Sequence, residues 1–278
     1  MGGRNTSSGR KPPPAPKPPP MPVPPPTPKP QPRPKPQPRP KPAPTTTNLE
    51  LHKMTDANLA SFVRKAKMGS LPRGFHDDIT QRMILSAKWN DKPEVLPFSQ
   101  VEAAAKKRGA VVLYRTVSHN GSLNMTSDKI ADSFRSDAIF NTGGHGGQIY
   151  GGGVYFTSSL RGSKGYGYRS KGNMPTTIGA VLNSKAKVVS MDALQGTLGS
   201  NWIKSHPAAA KQLGFSRGLN GRFRSSHGAG AYTALAMAMG YNVVSNKVSS
   251  RETYYTVLDR SAVTTSSKDY YTQSRGMK

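Results

Sequence analysis

The stretch Tyr150-Gly151-Gly152-Gly153-Val154-Tyr155-Phe156-Thr157-Ser158-Ser159-Leu160-Arg161-Gly162-Ser163-Lys164-Gly165-Tyr166 decides how this chain is read. Three glycines open it. Lacking a Cβ, they let the backbone come close to a bulky neighbour, and the aromatic and hydroxyl residues that follow can stack on a flat ring and hydrogen-bond to it. An ordinary glycine-rich turn leading into a strand over 154–157 has the same pattern.

Upstream, residues 111–117 alternate with period two, with Val111, Leu113, Arg115 and Val117 on one face and Val112, Tyr114 and Thr116 on the other. Arg115 therefore shares a face with apolar neighbours. A guanidinium in that position binds an anion, forms a structural ion pair or snorkels out at the sheet edge, because an unpaired buried charge is too costly. Further strands are expected at 177–182, 186–189, 241–244 and 253–258. Helical spacing predicts helices over 56–67, 77–89 and 127–135, short helices between 192 and 214, and an apolar helix over 229–239. Ser99 and Glu102 have capping-box spacing ahead of Ala103-Ala104-Ala105, with Gly109 beyond the basic last turn.

The first 46 residues hold 20 of the 25 prolines, nine Lys or Arg and no acid. Proline fixes φ and lacks an N–H, so this leader is expected to be extended and disordered, in polyproline II conformation. The remaining 230 or so residues suffice for one substantial core, at about 100–200 residues per domain. Of the net charge of +26, +17 belongs to that remainder. Such a surplus favours polyanions, with nucleic acid an expected partner of the leader, though it also fits a merely solvated surface.

The chain has no cysteine, which excludes disulfides, thiolate metal sites and cysteine nucleophiles, and its six histidines have no ligand spacing, so no metal is expected. No apolar run approaches the ~18 residues of a membrane span, and no secretory signal is evident. Met1-Gly2-Gly3-Arg4-Asn5-Thr6 fits an acylation pattern of low specificity. Dinucleotide and triphosphate glycine fingerprints and the Gly-x-Ser-x-Gly elbow are missing, which removes kinase, GTPase, Rossmann and α/β-hydrolase readings.

Leu113-Tyr114-Arg115-Thr116, the stretch from Tyr150 to Tyr166, and Tyr254-Tyr255-Thr256-Val257-Leu258-Asp259-Arg260-Ser261 together resemble the ADP-ribosyltransferase fold. The likeness is to the compact versions in phage head-associated and toxin-like proteins and, more distantly, to the poly(ADP-ribose) polymerase core. In that core a Gly-x-Gly-[Ile/Val]-Tyr-Phe strand is followed by a Ser and a second Tyr, and here Ser163 and Tyr166 stand eight and eleven residues after Tyr155. Thr157-Ser158-Ser159 resembles the Ser-Thr-Ser strand of arginine-type toxin transferases, and Arg115 their strand Arg. The resemblance spans 110–265. It implies an α+β fold of split mixed/antiparallel β-sheets, with a disordered leader over 1–47, a helical lead-in over 48–109 and a polar tail over 266–278.

It also implies NAD as a consumed substrate. On this resemblance Tyr166 stacks on nicotinamide, Ser163 bonds its carboxamide, Tyr155 lines the pocket, and Arg115 meets pyrophosphate or ribose. Thr116, Gly153, Thr157, Ser158 and Ser159 complete the NAD-binding set. In the family a late-sheet Glu holds the ribose hydroxyl and stabilises the oxocarbenium-like centre. Aligning the last strand places Tyr254 there, and Glu252, about 6–7 Å away on the same face, either reaches the position through a bulge or altered register or is a plain solvent-facing strand-end charge. Asp259 is the second carboxylate, and His145 in the glycine loop either reaches ligand or is solvated. The implied acceptor is a macromolecule, expected to be a host protein, reached from a virion, in the host cytoplasm or by delivery as an effector. A non-catalytic virion or nucleic-acid module that keeps the fold is the alternative.

Overall fold

The computed structural model describes residues 48–72, 75, 77–89, 91–118, 125–137, 152–165, 174–217, 223–225 and 228–267, all within the compact unit Thr46–Lys278. The leader 1–47, residues 142–151 of the glycine loop with His145, Tyr166, and the tail beyond 267 lie outside the described residues.

The architecture is α+β. Its sheet is mixed and has eight strands. From one edge to the other these are β1 (Glu94–Leu96), β10 (Val263–Ser266), β4 (Thr176–Leu182), β2 (Leu113–Val117), β3 (Val154–Thr157), β9 (Thr253–Val257), β8 (Val243–Lys247) and β5 (Val188–Ser190). The outermost pairs, β1/β10 and β5/β8, are parallel and the inner ones antiparallel. A separate hairpin joins β6 (Phe215–Arg217) to β7 (Phe223–Ser225).

The register is uneven at the centre. β2 and β4 match at five positions, Leu113↔Ala180 through Val117↔Thr176, whereas β2 and β3 match at one, Tyr114↔Thr157. The expected split into two sheets does not form: β2 and β3 are joined, and one continuous eight-stranded sheet results, with its thinnest pairing at that seam.

Period-two alternation gives the sheet two different faces. On one, Leu113, Val117, Val154, Phe156, Ile178 and Val257 form a cluster beneath α4 (Ser127–Ser136), whose Phe134 meets Phe156 edge-on at 5.6 Å. Such an aromatic pair adds about 0.5–1.5 kcal/mol beyond the area it buries. Thr126 caps α4 by accepting from the Lys129 N–H.

The opposite face carries α3 (Phe98–Lys107), α5 (Leu160–Lys164) and a larger helical cluster. In that cluster α1 (Asp56–Met68), α2 (Ile79–Ser86), α6 (Met191–Gln195), α7 (Thr197–Ser205), α8 (Pro207–Gln212) and α9 (Ala229–Ala238) pack on Val189, Val244 and Leu258. The α9 helix is apolar all round and correspondingly buried, with Thr233 satisfied by Thr80 and the Gly230 carbonyl. Asp56, in the first turn of α1, accepts from the Ala208 and Ala209 N–H groups and so also caps α8.

Three local expectations are corrected. The Ser99–Glu102 box does not cap α3, which begins at Phe98 after Pro97 with no side-chain cap, the Phe98 ring lying over Gly179 where a Cβ would collide with it. The helix expected over 77–89 covers only Ile79–Ser86, capped by Asp78 and followed by Lys88 at φ +58°. No strand is expected after 253–258, yet β10 forms there as a buried strand whose Thr264 and Thr265 hydroxyls donate to Glu94 and the Gly179 carbonyl.

Candidate functional site

The site forms where β3 ends and β9 begins. The register Thr157↔Tyr254 brings the two strands together there. Ser158 clasps the junction, its N–H donating to the Thr253 carbonyl at 3.0 Å and its Oγ accepting from the Thr253 N–H at 3.0 Å. The chain arrives from β8 through a tight turn in which the Glu252 carbonyl accepts from the N–H groups of Val248 and Ser249.

Glu252 is thereby fixed one residue ahead of β9, partly exposed, with its carboxylate over the end of β3. The buried Thr157 hydroxyl donates to Glu252 Oε1 at 2.6 Å and accepts from the Ser159 N–H at 3.1 Å. Ser159 in turn caps α5, accepting from Gly162 N–H at 3.0 Å. The carboxylate rests on Gly162, where any Cβ would overlap Oε1. This seat went unnoticed in the sequence, although a glycine inside a helical turn beside candidate site residues marked it. Among the described residues Thr157 is the only hydrogen-bond donor to the Glu252 carboxylate, so most of its acceptor capacity remains for a ligand.

Beneath α5 runs a chain of buried hydroxyls. Ser163 Oγ donates to the Leu160 carbonyl at 2.9 Å and lies 3.1 Å from Thr116 Oγ1, itself 2.9 Å from Thr177 Oγ1. One proton per hydroxyl orders the relay as Thr177 to Thr116 to Ser163 to Leu160. Ser163, expected to face a carboxamide, is 1% exposed and directs its proton into the protein.

Arg115 occupies the seam. Its Nη1 donates to the Tyr155 carbonyl at 3.1 Å, a β3 acceptor beside the single register pair that joins β2 to β3. Its Nε is buried without a partner, and among the described residues no carboxylate pairs with it. Burial pushes this guanidinium below its ordinary range, down to about 10, with the nearby Tyr155 pulling the other way. A half-buried cation with a buried, unused Nε donor is a site for an anion.

By alternation Arg115 belongs to the α4 face with Leu113 and Val117, whereas Thr116, Tyr155, Thr157, Tyr254 and Glu252 belong to the α5 face. The expected convergence of Arg115 with Ser163 and Glu252 in one cleft is therefore corrected: acid and hydroxyls share a face, and Arg115 reaches the seam between strands from the other. Tyr155 is partly exposed, in register with Thr256. The glycines serve the protein's own packing as well. A Cβ on Gly152 would strike Asp78 and Thr80, and one on Gly153, at φ +134°, would strike Thr256. Asp259 is a structural cap, accepting from the Ser261 N–H at 3.0 Å at the far end of β9. No group of three His, Asp or Glu side chains suited to a metal occurs among the described residues. Nor is any helix among them long and apolar enough to cross a membrane.

No protein-family model matches the chain, and no curated protein or solved structure is significantly similar to it.

Proposed function

We propose that the protein is an NAD-consuming mono-ADP-ribosyltransferase, with a fold of the ADP-ribosyltransferase kind. The observation that carries this reading is the Glu252 carboxylate, held by the Thr157 hydroxyl on a strand adjacent to the one that bears Arg115. An acid fixed by one hydroxyl, with the rest of its acceptor capacity unused, suits a ribose hydroxyl and the positive charge that develops at the anomeric carbon as nicotinamide departs. Arg115, although it comes to the β2/β3 junction from the opposite face, keeps donor capacity that suits the pyrophosphate.

In this mechanism the C1–N bond of the nicotinamide riboside breaks and nicotinamide leaves as a neutral base with the bonding pair. Glu252 stabilises the resulting cation, and a nucleophile of a macromolecular acceptor closes the new bond and releases its proton. Tyr155 flanks the leaving ring. The relay through Ser163 stiffens α5, which seats Glu252. The proline leader acts as a tether at the place of work, in a virion or in the host cytoplasm, and its removal leaves intrinsic turnover intact.

Incubating the full chain with labelled NAD and host extract tests the reading: nicotinamide release with label transfer is expected. Absence of both ends the proposal. Calorimetric NAD binding without nicotinamide release leaves a binding module instead of an enzyme.

A further inference from the structure

The segments that hold Glu252 carry exposed cations. Arg161 precedes Gly162, against which the carboxylate rests, and is exposed on α5, as is Lys164. Arg251 directly precedes Glu252 and is exposed, and exposed Lys247 ends β8 in register with Thr253. Among the described residues none of Arg161, Lys247 or Arg251 pairs with a carboxylate.

The sequence explains why. From residue 138 to 258 only Asp192 and Glu252 are acidic, against thirteen Lys or Arg. Asp192 lies in the first turn of α6, within the helical cluster. Exposed cations on α5, at the end of β8 and in the turn before β9, with Glu252 the one acid among them, repel cationic partners and attract a polyanion whose charges are spaced along a flexible backbone.

We propose that this rim docks single-stranded nucleic acid and that the docked strand, rather than a protein, is the acceptor of ADP-ribose. The inference rests on the transferase reading above for its chemistry, and on the charge arrangement alone for its docking. Single strands are favoured because a nucleophile held in a base pair cannot approach a carboxylate seated in a turn, whereas unpaired bases can be splayed out over partly exposed tyrosines such as Tyr254. In the transfer, nicotinamide leaves C1 with its electron pair, a nitrogen or oxygen lone pair of the strand forms the new C1 bond, and the displaced proton passes to Glu252 or water.

The test uses the full chain, a fluorescein-labelled single strand of roughly 12 nucleotides and a duplex of the same sequence. The triple variant Arg161→Gln/Lys247→Gln/Arg251→Gln is expected to bind the single strand about tenfold more weakly, with the slope of log affinity against log salt flatter by about 2. Arg161→Lys/Arg251→Lys should restore binding, since the charge and not the fork is what counts. A full-length variant with the nine leader cations changed to Gln keeps the rim's share of the slope, which separates leader from rim. All rim positions are exposed, so an unchanged melting temperature shows that folding is intact. With labelled NAD, label is expected on the oligonucleotide.

Label found on protein instead of the strand, binding unaffected by the rim substitutions, or duplex preferred over single strand overturns the inference. Failure of the transferase reading looks different: nicotinamide is not released while rim-dependent binding persists.

Discussion

The two ends of β9 each carry an acid, with a buried arginine nearby, and they use them in opposite ways. At the far end Asp259 caps the turn Arg260–Ala262, and Arg260 donates to the carbonyls of Ser133, Phe134 and Asp137 at the C-terminus of α4. The groups there are spent within the protein, on the backbone of α4 and of the turn and on the Asn48 amide, with a cation where a helix dipole is negative. At the near end Glu252 holds one hydroxyl and Arg115 one carbonyl, with Nε left over. The difference separates polar groups that hold a fold together from polar groups kept in reserve. Desolvation costs both arginines, lowering both from their ordinary range, but only Arg260 recovers the cost within the protein.

The sharpest way to break the comparison is Glu252→Gln. If the near end is a working site, nicotinamide release measured by chromatography falls about 10²–10³-fold, while the melting temperature hardly moves. Next in size is Arg260→Met, which takes the guanidinium donors from the Phe134 and Asp137 carbonyls at the end of α4. It should cost about 2 kcal/mol, seen as a fall in melting temperature of roughly 4–8 °C by calorimetry.

Arg115→Met should do the reverse, abolishing NAD binding while leaving the melting temperature equal to or above that of the native chain. The sign follows from linkage. A base with a folded pKa of about 10, below its unfolded value, carries its full cost at neutral pH. The native chain should therefore gain stability relative to the variant as pH rises beyond about 10, in paired denaturant titrations. Loss of stability in Arg115→Met as large as in Arg260→Met would erase the distinction between the two ends.

The smallest effect belongs to Asp259→Asn. Burial raises this carboxyl, so the folded state holds its proton more tightly than the unfolded chain. The native protein should lose stability relative to the variant as pH rises through and above the unfolded carboxylate value of about 3.9, in chemical denaturation followed by circular dichroism. A flat difference would mean that Asp259 is better satisfied than its burial implies.

Part of this architecture was legible before any coordinates. Val154–Thr157, the amphipathic α1 and α4, and the apolar α9 follow from spacing alone. β10 did not. Val263-Thr264-Thr265-Ser266 has a polar composition, yet lies buried between β4 and β1, where neighbouring strands take up its hydroxyls. The apparent Ser99 cap failed for the same kind of reason, since Phe98 is drawn onto Gly179 and into the first helical turn. At the candidate site the residue types were legible, and period-two alternation already set Arg115 on the face of Leu113 and Val117. The inward turn of Ser163 was not legible, and neither the Thr157 partner of Glu252 nor the Gly162 seat follows from spacing.

What the amino-acid order settled by itself is local: helical and strand periodicity, the shortage of acids between residues 138 and 258, and an arginine set among apolar strand neighbours. Those properties act over a few residues, within reach of backbone sterics and charge counting. The assembled structure alone decided which groups would be satisfied, because Glu252 meets Thr157 across 95 residues and Arg260 meets α4 across more than 120. Hydrogen-bond satisfaction is a property of partners, and partners this distant in the chain exist only once the sheet has closed its register.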